Sequence, residues 1–239
     1  MDTAWPRGYP LDKIKADVKL TQSAPSSVQT ASKSAPAAPV GTAPSVTPTT
    51  PVKLKSSEVG VIHYLANHEP DLDAVYKLTQ PLPLDFPMRG VSPVIVPKNV
   101  FCPYNTQSSL FLHNSFWSLL LPTSLYSRIS DIYRGYIAQK ISSKYNLRLI
   151  IHPPIVTHVH TKRDILLDLH NETPLYLRVK QLLLTLQQWK PTGTSILGDI
   201  EQAYILLYEH GYLSIQDVEL VQEWLVTLIN LKYQFPETV

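Results

Sequence analysis

Strands mixed with helices through the middle of the chain, then helices alone to its end, predict an α/β core followed by an α-helical C-terminal part. Arg148–His152, RLIIH, reads as a buried strand ended by Pro153-Pro154. Beyond it come three helical segments. Leu175 to Trp189 sets Val179, Leu182, Leu183 and Leu186 on one face, and Ile196 to His210 is stopped by Gly211. Ser214 and Asp217 form a capping box that opens a last helix reaching about Leu231. Upstream, Ile129, Ile132, Tyr133, Tyr136, Ile137 and Ile141 recur at three- and four-residue intervals, which predicts a helix from about Ser124 to Lys144. Arg128, Asp131, Arg134 and Gly135 fall off that stripe and are expected to face outward or into a cleft. A glycine inside a helix costs about 1 kcal/mol against alanine, so Gly135 points to a close approach. Val59 to Tyr76 reads as a short helix, a turn at Glu69-Pro70, and an extended run led by Asp73. Val91 to Val96 reads as a strand broken by Pro93.

Composition narrows the function classes. A net charge of +2 over 239 residues gives no electrostatic case for nucleic acid, and no lysine-arginine run marks a membrane surface. One cysteine, Cys102, excludes an intrachain disulfide and a cysteine-based zinc site. No apolar run reaches the roughly 20 residues of a membrane span, and no signal peptide is visible after Met1. From about Ser23 to Pro51 the sequence is alanine, proline, serine, threonine and valine almost without charge. It has no period, and its prolines withhold backbone donors, so it is expected to be a disordered spacer.

Several residues have the chemistry of a site, each with a plainer alternative. Asp131 stands between Arg128 and Arg134; it serves as an acid-base group or pairs locally on a helix surface. Asp71 and Asp73 form an Asp-x-Asp, a pattern that suits a hard divalent cation and equally suits a turn after Pro70. His158 and His160 alternate on an extended segment, so both rings can reach one ion; surface histidines would look the same. Tyr104, Phe111, Phe116, Trp117 and Tyr126 can stack on a sugar ring or fill a core. No Ser-His-Asp order, glycine-rich phosphate loop or reactive cysteine setting is present.

The wording of several segments goes further. Asn114 to Trp117, Leu119 to Pro122, Asp131 to Tyr136 with Gln139 and Lys140, Trp5 to Leu11 and Pro70 to Tyr76 occur in order. So does a tail through Trp224, Tyr233 and Pro236. Together they resemble the STELLO family, plant and animal proteins classed as probable glycosyltransferases. The resemblance implies the C-terminal half of a GT-A-like glycosyltransferase domain, an incomplete mixed sheet followed by helices. It divides the chain into a family segment at 1–22, a linker at 23–56, an acceptor-side α/β part at 57–170 and a helical region at 171–239.

Such an enzyme transfers sugar from a nucleotide sugar to a glycan acceptor, with Mn²⁺ or Mg²⁺ neutralising the leaving diphosphate. The resemblance implies that the donor-binding half is not part of this chain, so the chain alone is expected to be inactive. By further analogy with the reversibly glycosylated polypeptides, Asp131 would be catalytic, as the general base or by orienting the acceptor. Arg128 and Arg134, with Trp117 and Asn114, would bind substrate, and His158, His160 and Asp73 would be the metal candidates. Family relatives are anchored in the Golgi and tied to cellulose synthase assembly, so a non-catalytic module assisting a membrane glycan-synthase complex is the competing expectation. As written, the chain would stay in the cytosol.

Overall fold

A computed structural model describes residues 6–11, 54–88, 90–159 and 164–237. Trp5, His160 and the spacer read from Ser23 to Pro51 lie outside them. The described chain is a four-stranded mixed sheet packed on a set of helices. Strand β1 (Val59–His68) lies beside β4 (Arg148–His158) in parallel. β3 (Ser109–Phe111) flanks β1 and β2 (Val94–Ile95) flanks β4, both antiparallel, for the order β2-β4-β1-β3.

Two sequence expectations change here. Val59–His68, read as a short helix, is β1; its apolar residues lie on both sides of a central strand, so no clean alternation marks it. The run after Asp73 is helix α1 (Ala74–Thr79), because the Asp73 carboxylate accepts from Tyr76 N at 2.7 Å and caps it. The strand expected at Val91–Val96 shrinks to the two residues of β2, and the one at Arg148–His152 runs on to His158.

Helix α2 (Ser127–Lys144) begins three residues later than the stripe suggested, after the 3₁₀ segment His113–Leu119. It is buried almost all round, with Ile132, Tyr133, Tyr136 and Ile141 at its centre. The expectation that Arg134 and Gly135 face outward is therefore corrected. The sheet side covers them: a Cβ on Gly135 would stand 3.1 Å from the Tyr104 ring and 3.2 Å from its carbonyl. The close approach inferred from this glycine is real. Asn146, in the left-handed conformation at φ 56°, turns the chain from α2 into β4.

Helices α3 (Ile165–Gln188), α4 (Ile196–Glu209) and α5 (Ile215–Asn230) close the other side of α2. Leu175, Val179, Leu182 and Leu186 from α3 and Ile200 and Leu207 from α4 share one core with α2. Gly211, at φ 67°, ends α4, and the Ser214–Asp217 capping box opens α5 as read from sequence.

Buried carboxylates tie these layers together. Glu172 on α3, wholly buried, accepts from Arg128, from Tyr176 Oη at 2.7 Å and from Ala74 N at 2.8 Å, so one side chain joins α1, α2 and α3. Asp199 on α4 accepts from Lys144 Nζ, Tyr145 Oη and Gly193 N, and Asp217 on α5 accepts from Thr123 N, Ser124 N and Ser124 Oγ. Removing one partner of a buried pair strands the other groups. Glu172→Ala is expected to lower stability by about 3–5 kcal/mol, read from urea unfolding. A loss under about 1 kcal/mol, typical of exposed pairs, would contradict this account of the interface.

Candidate functional site

The N-terminal segment, the turn after β1 and helix α2 meet at Arg7. Pro6 bridges Leu72, and Arg7 N donates to the Asp71 carbonyl at 3.3 Å, which lays the segment against the turn. Gly8 holds a φ of 89° and packs on Ile132, where a Cβ would come within 2.5 Å of that side chain. Its carbonyl accepts from Tyr136 Oη at 2.8 Å. So placed, the Arg7 guanidinium is 5% exposed and lies between two carboxylates. Nη2 and Nε donate to Asp71 at 2.7 and 3.0 Å, and Nη1 donates to Asp131 Oδ1 at 3.3 Å. Asp131 also accepts from Thr106 N at 3.2 Å.

A cavity of about 240 Å³ opens beside this cluster. Arg7, Asp71, His63, Asn105 and Gln107 supply its polar lining, and Tyr64, Phe86 and Tyr104 are among its apolar walls. Asp71 is its carboxylate; Asp131 stands behind Arg7 and is not part of the wall. Burial works to raise the Asp71 carboxyl, but the charge and hydrogen bonds of Arg7 outweigh it and hold it at about 2. Arg7 in turn is locked in its charged form, its burial outweighed by the two aspartates.

His63 was not singled out by sequence. Ser109 Oγ donates its hydrogen to the Asn105 carbonyl at 2.6 Å, so His63 Nδ1, 2.9 Å from that oxygen, must be the donor to it. Nε2 then carries the lone pair. Burial pushes the imidazole down to about 4 against the pull of Asp71 and Asp131, so it is a neutral hydrogen-bond acceptor near pH 7.

The remaining candidates are held by the protein itself. Arg128 reaches Glu172 and, at 3.4 Å, Asp168. Arg134, 2% exposed, lies over the Phe111 ring at 4.6 Å and donates to Thr106 Oγ1 at 3.1 Å. Trp117 is buried and donates to the Asn114 carbonyl, while Asn114 Nδ2 donates to the carbonyls of Ser57 and Val59. Of the aromatic set, Tyr104 and Trp117 are core residues, whereas Phe116 and Tyr126 are exposed.

The metal candidates among the described residues are likewise held by the protein itself. Asp73 is wholly buried as the α1 cap, His158 Nδ1 bonds the Glu69 carbonyl at 2.8 Å, and His160 lies outside the described residues. Among the described residues no group of three or more His, Cys, Asp or Glu is placed to hold a cation.

Relatives give this arrangement a context. No protein-family model matches the chain. Over 176 residues it is 30% identical to the probable glycosyltransferase STELLO1 of Arabidopsis thaliana and 28% identical to STELLO2 of the same plant. Each match takes in 72% of this chain. The chain belongs to the STELLO family. It spans 23% of the length of each of these two STELLO proteins, so it corresponds to a part of them. No helix among the described residues is long and apolar enough to cross a membrane.

Asp71 and His63 give this STELLO chain a pH dependence of fixed sign. Each has a folded value below its unfolded one, so the unfolded chain binds the extra proton and acid destabilises the fold. The His63 loss starts as pH falls below 6.5 and is complete near 4, amounting to about 3 kcal/mol. The Asp71 contribution, about 2 kcal/mol, is present above 3.8 and is lost as pH falls toward 2. Melting temperatures measured across this range should fall in both windows. His63→Gln should flatten the upper window and leave the lower; an unchanged upper slope in that variant would contradict the assignment.

Proposed function

We propose that this chain is the acceptor-side part of a glycosyltransferase-like STELLO protein, and that the cavity beside Arg7 and Asp71 holds the acceptor sugar. The observation that carries the reading is the chemistry of that cavity. It offers acceptors (the Asp71 carboxylate and the neutral His63 ring), donors (Arg7, Asn105, Gln107) and aromatic walls (Tyr64, Phe86, Tyr104) within about 240 Å³. Mixed donors and acceptors beside apolar faces suit a ligand with hydroxyls on a carbon ring.

In this reading Asp71 orients the acceptor hydroxyl. A carboxylate held at about 2 accepts a hydrogen bond well but is a weak base, since proton abstraction is most efficient when the base titrates near the working pH. Asp131 is a positioning residue, which fixes Arg7 and through it the orientation of Asp71. The nucleotide sugar and a divalent metal would be bound by residues outside those described, and the chain by itself would transfer no sugar.

In an intact family protein carrying these residues, Asp71→Asn should lower kcat/KM for the acceptor by roughly 10²-fold, and Asp131→Asn should act in the same direction but less. Full activity in Asp71→Asn would reject the assignment. So would calorimetric detection of metal-dependent nucleotide-sugar binding to this chain, for the claim of inactivity.

A second reading, a non-catalytic module in a membrane glycan-synthase complex, draws on exposed apolar side chains of the helical part. Leu177 on α3 and Val226 and Ile229 on α5 are all more than half exposed. Leu177→Lys or Val226→Lys abolishing function while Asp71→Asn spares it would favour that reading.

A further inference from the structure

A second cavity, of about 260 Å³, lies between the C-terminal half of α2 and the β2, β4 and β1 strands, and shares the Tyr104 ring with the first. Its walls include Val61, Val96, Phe101 and Leu149, which form a largely apolar floor. Its charged lining has one sign. Lys98, Lys140 and Arg148 face it, and no carboxylate lines it.

None of these cations forms a salt bridge among the described residues. Arg148 Nε is buried with no hydrogen-bond partner. Lys140 Nζ donates to the Gln187 carbonyl at a long 3.3 Å, and its partial burial works against its charge. Glu58, whose charge reaches Arg148, spends its carboxylate on Lys55 N and Asn146 Nδ2. By contrast Lys144, one turn beyond Lys140, is paired with Asp199 at 2.7 Å. Like charges that line one cavity without a counter-ion repel one another. An anion bound between them would relieve that repulsion.

We propose that this cavity binds a phosphate monoester carried on a small apolar body, with Arg148 and Lys140 on the phosphate and Lys98 at the rim. Phosphate is preferred to carboxylate because three cations line the one cavity and a guanidinium fork matches two phosphate oxygens. The apolar body lies on the Val61, Val96 and Leu149 floor. The site does not depend on the acceptor reading of the first cavity, and its failure would leave that reading untouched.

The test is calorimetric titration of the full chain with phenyl phosphate, inorganic phosphate, benzoate and benzyl alcohol. Phenyl phosphate should bind with a dissociation constant of about 1 mM or below, and the other three at least roughly tenfold more weakly. Short-chain phosphatidic acid is titrated beside them, because a lipid carries the same group; whichever phosphate ester binds more tightly names the source. Arg148→Gln and Lys140→Gln should each weaken phenyl phosphate roughly tenfold with unchanged circular dichroism. Lys140→Gln, at a partly exposed helix position, carries the test if the other variant fails to fold. Benzoate equalling phenyl phosphate, variants binding as tightly as the parent, or no phosphate ester binding at all would each overturn the proposal.

Discussion

The burial of α2 on every side governs the rest of the described structure. Arg128, Asp131, Arg134 and Lys144 can be drawn into the fold only if each finds a partner in the surrounding layers, whereas Lys140 stays partly exposed. Glu172 and Asp168 answer Arg128 from α3, Asp199 answers Lys144 from α4, Arg7 answers Asp131 from the N-terminal segment, and Phe111 and Thr106 receive Arg134 from the sheet side. These pairings fix where each neighbour docks. The Arg7 pairing also brings Asp71 to the edge of a cavity, so the same electrostatic demand that organises the core places the candidate site.

Much of the helical architecture was legible in sequence, because its signals are local. Gly211 after Glu209 and the Ser214–Asp217 box mark real helix ends, and the isoleucine and tyrosine spacing of α2 marks a real helix. The sheet was harder. Strand β1 has neighbours on both edges, and its apolar residues at 59, 61, 62, 65 and 66 fit helical spacing as well as a strand. The off-stripe face of α2 also misled, because periodicity shows which face is most apolar and not whether the other face is covered. Asp-x-Asp spacing hid a division of labour: Asp73 caps α1 out of solvent, and Asp71 meets Arg7 at the cavity.

The candidate site beside Arg7 was not assigned from sequence, where only the segments that form it stood out by their resemblance to the family. Arg7 and Asp131 are 124 residues apart, and no local pattern joins them. The segments at 5–11 and 70–76 both resemble the family, and the structure brings them together: Pro6 bridges Leu72, and Arg7 grips Asp71. His63 left no signal beyond its place in an apolar run. Its neutral form follows from the Ser109 hydroxyl being committed to Asn105, a relation visible only in three dimensions.

The cavity beside Arg7 and Asp71 is proposed to receive a sugar. The most direct measurement is an NMR titration of the isotopically labelled chain with a neutral disaccharide such as cellobiose, following backbone amides. The account predicts shifts that saturate and cluster at Arg7, Tyr64, Asn105 and Gln107. Shifts confined to other surfaces, or none at concentrations up to about 50 mM, would contradict it.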